Sequence, residues 1–125
     1  MKQDGNLTVY RGWLDPGKHV WSPFVVKIET RLRLAGISYT TEAGSPRDAP
    51  KGKIPYITYL IPDTTEPGIK LGDSTLIIKK LVEQGLIPDL NASVSPETAA
   101  SDLGLRALLE DKLYFYHVSA KFWCL

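Results

Sequence analysis

Two pairs of residues in this chain could do chemistry at the head of a helix. Ser22 is followed by Pro23, and Asp73 by Ser74. Serine and aspartate are preferred N-caps because a side-chain oxygen satisfies a backbone N–H that has no partner in the first turn, and proline just inside has no N–H to lose. A helix start is also an anion site, since its unpaired N–H groups and dipole attract negative charge. A capping hydroxyl that accepts from the helix still has its own O–H to donate outward. Ser22 therefore reads as a cap, with a second reading as a donor to an anion. Tyr10 and His19 are neighbouring alternatives for a reactive group.

The composition limits other chemistry. The chain has 125 residues, 43% of them hydrophobic, enough for one domain with a core and too few for two full ones. Its formal net charge is +1, with no basic run, so no partnership with nucleic acid is expected. Cys124 is the only cysteine. A disulfide within one chain is impossible, a cysteine-based metal site is excluded, and no metal is expected. No apolar stretch approaches a membrane span, and residues 1–6 lack the apolar segment of a secretory signal. A cytoplasmic location follows as the default expectation.

The elements that must position these residues can be read from periodicity and punctuation. Leu7–Tyr10 predicts a strand, and Arg11–Trp21, rich in Gly and Pro, a loop. A helix opens at Ser22-Pro23 with Phe24, Ile28, Leu32 and Ala35 on one face, and Gly36 stops it. Ile37–Thr41 predicts a second strand. Gly44–Gly52 is broken by Pro46 and Pro50, against a long helix. Tyr56–Ile61 is the clearest strand, followed by a turn over Pro62–Gly68 and a return strand at Ile69–Leu71. Asp73 or Ser74 then caps a helix with Ile77, Ile78, Leu81 and Val82 on one face, ended by Gly85. After a linker over residues 86–94, Ser95-Pro96 opens another helix, predicted to run to about Val118 with Leu105, Leu108, Leu109, Leu113 and Tyr116 on one face. The order is β-α-β-loop-β-β-α plus one helix. Its first half needs a parallel crossover and its second a hairpin.

Three segments in this order resemble the N-terminal domain of glutathione transferases, most of all the failed-axon-connections and metaxin-like branch with its fungal members. They are Trp21-Ser22-Pro23-Phe24 through Ile37, Pro50-Lys51-Gly52-Lys53-Ile54-Pro55-Tyr56-Ile57, and Leu71-Gly72-Asp73-Ser74-Thr75-Leu76-Ile77-Ile78. Each is weak alone; their order and spacing are specific. The resemblance implies an α/β, thioredoxin-like fold (β-α-β-α-β-β-α) over residues 1–86. Residues 87–125 would then hold a linker and the first helix of an incomplete all-α C-terminal domain, as in a truncated member of the family.

The resemblance also implies a ligand, glutathione, and a role for each candidate. Pro55 would follow a cis bond, leaving Ile54 to pair its backbone with the cysteinyl unit like one more strand. Asp73 would face the γ-glutamyl amino group and Ser74, with the helix N-terminus, its α-carboxylate. Lys53 would meet the glycyl carboxylate. Ser22 would stand where relatives carry the active residue. Some of those relatives have Cys-x-x-Cys there, whereas this chain has Ser22-Pro23-Phe24-Val25, so dithiol exchange at this position is excluded. The Ser22 hydroxyl could instead stabilise the glutathione thiolate for attack on a small electrophile. The alternative is a glutathione-binding or protein-interaction module without catalysis. The long loop with Trp13, Lys18, His19 and Trp21 would cover the site or meet a partner, and a homodimer would hide the apolar face of the last helix.

Overall fold

The computed structural model describes residues 6–15, 17–61, 65, 67–68 and 69–123. The predicted turn over Pro62–Gly68 lies largely outside the described residues, and Cys124 lies outside them altogether. The chain divides into two compact units, Met1–Pro88 and Asp89–Leu125.

In the first unit, β1 (Asn6–Tyr10), β2 (Thr40–Glu42), β3 (Tyr56–Leu60) and β4 (Ile69–Gly72) form one sheet in the order β2-β1-β3-β4. β1 and β2 are parallel, joined across α1 (Pro23–Leu34); β3 is antiparallel to both β1 and β4. α2 (Ser74–Glu83) follows β4 directly. Turns, with Asp48 N–H donating to Ser45 C=O and Gly52 N–H to Ala49 C=O, occupy the stretch between β2 and β3. This is the mixed α/β arrangement of a thioredoxin-like domain.

Alternation along the strands sorts the two faces. Leu7 and Val9 of β1 and Ile57 and Tyr59 of β3 point into a core shared with Ile28 and Leu32 of α1, its C-cap Ala35, Ile77 and Leu81 of α2, and Ile87. Burying each of the larger aliphatic side chains contributes roughly 1.5–3 kcal/mol. The buried stripe of α1 is Val25, Ile28, Glu29 and Leu32, and Phe24 is only half-buried. Ile28, Leu32 and Ala35 are buried as predicted; at the helix start Val25 takes the buried place instead of Phe24, and the face carries a carboxylate.

Both helices end in the same way. Gly36 (φ +66) donates to Arg33 C=O and Ile37 to Leu32 C=O; Gly85 (φ +69) donates to Val82 C=O and Leu86 to Leu81 C=O. These are Schellman closures, in which the residue after the left-handed glycine bonds back five positions. They explain why β2 begins later than predicted. Ile37 spends its N–H on the helix end and its side chain on the core, so pairing with β1 starts at Thr40.

The second unit begins at the Ser95 cap, whose hydroxyl accepts from Thr98 N–H at 3.2 Å. Its helix comprises α3 (Pro96–Ala107), a π-helical stretch (Leu108–Leu113) and α4 (Tyr114–Trp123). The π-helical turns admit an extra residue and rotate the side chains that follow. Leu103, Leu105, Leu108, Leu109, Leu113, Phe115 and Tyr116 are all exposed. Asp102 accepts from Asn91 at 2.9 Å and Arg106 at 2.7 Å, which ties the segment before α3 to its middle. Among the described residues, no helix is long and apolar enough to cross a membrane.

Candidate functional site

The sheet register gathers the candidates at one end. Tyr10, the last residue of β1, pairs with Tyr56, the first of β3, and Tyr56 pairs with Gly72, the last of β4. The loop to Ser22 therefore leaves the same end at which Ile54-Pro55 enters and Asp73-Ser74 departs. Gly12 confirms the proximity: at φ +76, a β-carbon there would lie 3.3 Å from Ile54 Cγ1.

Ser22 caps α1 with an extended backbone, and its Oγ accepts from Val25 N–H at 3.4 Å. Asp73 caps α2. Its Oδ1 accepts from Thr75 N–H at 2.9 Å and Leu76 N–H at 3.2 Å. Asp73 also has φ +72, a conformation non-glycine residues rarely take and one that costs on the order of 1–3 kcal/mol. Ser74 is buried. Lys27, in the second turn of α1, donates from Nζ to Ser74 Oγ at 3.4 Å and to Thr75 Oγ1 at 3.1 Å. The heads of α1 and α2 are therefore side by side, with an ammonium between them.

The Ile54–Pro55 peptide is cis, as the resemblance implies, with Pro55 buried and Ile54 half-buried. Lys53 is exposed on the turn before it. The neighbouring Lys51 side chain runs past Gly72, with Cβ 3.7 Å from the β-carbon position there. Tyr10 goes elsewhere. Its ring lies on the sheet face opposite α1 and α2, stacked on Tyr56, with its hydroxyl 3.5 Å from Thr58 Oγ1. His19 is exposed and, with Trp13, Asp15, Val20 and Trp21, lines an open cavity of about 180 Å³. Both tryptophans are exposed rather than core residues. Among the described residues, no cluster of three His, Cys, Asp or Glu side chains could hold a metal ion.

The glutathione S-transferase N-terminal domain model matches residues 23–124. The chain belongs to that family. Among solved structures, the chain is similar to glutathione transferase Omega 2S from Trametes versicolor. Identity is 23% and the TM-score 0.57, over 86% of this chain and 48% of that one. It is also similar to the dehydroascorbate reductase of Chlamydomonas reinhardtii. There identity is 24% and the TM-score 0.52, over 83% of this chain and 50% of that one. At these identities the likeness is one of fold, and the chain spans about half the length of either structure. No curated protein matches.

The sequence reading missed three residues of this neighbourhood. Lys27 was given no role there. Arg11 and Glu29 form a buried ion pair between the start of the loop and α1, with Nε 3.3 Å from Oε1. The one available signal was Glu29 itself, a charge on the apolar stripe of α1, since buried carboxylates are rare without a partner.

Proposed function

We propose that this chain binds glutathione at the end of the sheet where β1 and β4 finish and β3 begins, and that Ser22 activates the bound thiol for attack on a small electrophile. Ile54 pairs its backbone with the cysteinyl unit. Asp73 receives the γ-glutamyl amino group, and Ser74 with the head of α2 its carboxylate. Lys53 meets the glycyl carboxylate, and Pro55 sets the turn that exposes Ile54. A free thiol has a pKa of about 8.5, and lowering it by one unit takes about 1.4 kcal/mol of preference for the anion. A hydroxyl donor together with a helix N-terminus is sufficient for that.

The observation that carries this reading is the register Tyr10–Tyr56–Gly72, by which the three candidate segments share one sheet end. Family membership and the names of the two similar structures, a glutathione transferase among them, support the choice of ligand. We also read the chain as a member of the failed-axon-connections/metaxin-like and fungal branch, working in the cytoplasm and pairing into a homodimer through the apolar face of its last helix.

Thermal unfolding of the 125-residue protein with and without millimolar glutathione tests the binding. Native-state binding raises stability by RT ln(1 + [L]/Kd), about 2.7 kcal/mol at a hundredfold excess over Kd. A cooperative melt that does not move would sink the reading. A melt that moves, with no thiol-dependent turnover of an aromatic electrophile, would leave the binding module and remove the enzyme.

A further inference from the structure

Arg11 is buried where β1 runs into the loop. Its guanidinium donates to Asp15 C=O at 3.0 Å and to Lys18 C=O, so that the loop winds round it. On its other side stands Glu29, which is 2% exposed; a terminal nitrogen of Arg11 lies 3.4 Å from Oε2 and Nε lies 3.3 Å from Oε1. Tyr39 adds a hydrogen bond to Glu29 Oε1 at 3.4 Å and accepts one from Arg33 Nε at 3.1 Å.

Stability alone does not explain such a pair. Two buried charges at distances longer than a good charge-assisted hydrogen bond recover little of their desolvation, and an apolar pair of similar volume holds a core as well. What an apolar pair lacks is the fork of donors that reaches two loop carbonyls. A lysine, a point charge, would not span them either.

We propose that Arg11 is a positioning residue. With Glu29 as its fixed counter-charge, it latches the 12–21 loop to α1 and thereby sets Ser22 at the loop's end. Through Gly12, whose β-carbon position meets Ile54 Cγ1, it also sets the residue before Pro55. The consequence for ligand affinity rests on the glutathione reading above; the latch itself does not.

The test is the paired variant Arg11→Met/Glu29→Gln, which removes both charges and leaves an acceptor for Tyr39. It is expected to melt within about 3 °C of the parent, because both charges leave together and neither is stranded in the core. Trypsin should cut after Lys18 at least about tenfold faster, because local opening governs cleavage. The Kd for glutathione should rise by about tenfold or more, through misplacement of the binding groups. Parental cleavage at Lys18 overturns the latch. Faster cleavage with unchanged affinity overturns its role in positioning the site. If the paired variant does not fold, Arg11→Lys, which keeps the charge, carries the same two readouts. If the parent binds no glutathione, the functional reading falls while cleavage at Lys18 still decides the latch.

Discussion

Tyr10 and Tyr56 stack face to face, with ring centroids 4.2 Å apart and planes 7° from parallel. Their pairing across β1 and β3 puts both rings on the face away from the helices, at the same sheet end as the candidate site. Lys70 lies over the Tyr56 ring at 5.3 Å, and the chain after β2 folds across the stack at Gly44.

Gly44 has φ +63, and a β-carbon there would come within 2.7 Å of the Tyr56 hydroxyl and 2.8 Å of Tyr10 Cβ. Gly44→Ala combines a left-handed conformation costing about 1–2 kcal/mol with overpacking costing about 1–3 kcal/mol. We expect a loss of about 2–5 kcal/mol by urea denaturation. A loss below half of that would show that the turn can move away from the stack.

The stack also predicts a response to alkali. Burial, the largest influence, raises the Tyr56 phenol above its usual pKa, against an opposing hydrogen bond with the Ser45 backbone. A raised folded-state pKa means that the stability contributed is fully present below about pH 10, where the unfolded tyrosine is also neutral. It is lost as pH rises through the folded value. Melting temperatures measured from pH 8 to 11.5 should fall above pH 10 in the parent, and less steeply in Tyr56→Phe. Parallel curves would show that the phenol ionises as easily folded as unfolded.

Asp73 is both a cap and the proposed partner of an ammonium group, and one substitution separates the two. Asparagine caps as well as aspartate and tolerates a positive φ, so Asp73→Asn should change stability by no more than about 0.5 kcal/mol. The glutathione-dependent rise in melting temperature should shrink, since the charge is gone. If that rise survives intact, the γ-glutamyl amine is held elsewhere.

Ser22→Ala removes one cap contact, and its 3.4 Å length puts the expected cost at the low end, about 0.5–1 kcal/mol. Any thiol-transfer rate should fall by about 10- to 100-fold with a smaller change in KM for glutathione, because the hydroxyl acts on the developing thiolate rather than on binding. Steady-state kinetics at pH 6.5 would show it. Equal rates in parent and variant would leave Ser22 as a cap alone.

The sequence by itself determined the local events of this fold. Ser22-Pro23 and Ser95-Pro96 open helices, Gly36 and Gly85 close α1 and α2, and Tyr56–Leu60 forms an inner strand, because caps, left-handed glycines and β-branched and aromatic runs act within a few residues. The order of three motifs was also enough to indicate the family. Contacts between distant residues were decided only in three dimensions. The Schellman bond of Ile37 shortened β2, and strand alternation turned Tyr10 away from the head of α1. Lys27 reached the head of α2, 47 residues along the chain, and Arg11 found Glu29. Periodicity reports which residues share a face of an element. It carries no information on which buried charge faces which, since that depends on how two elements pack, and the positioning of the site rests on those pairings.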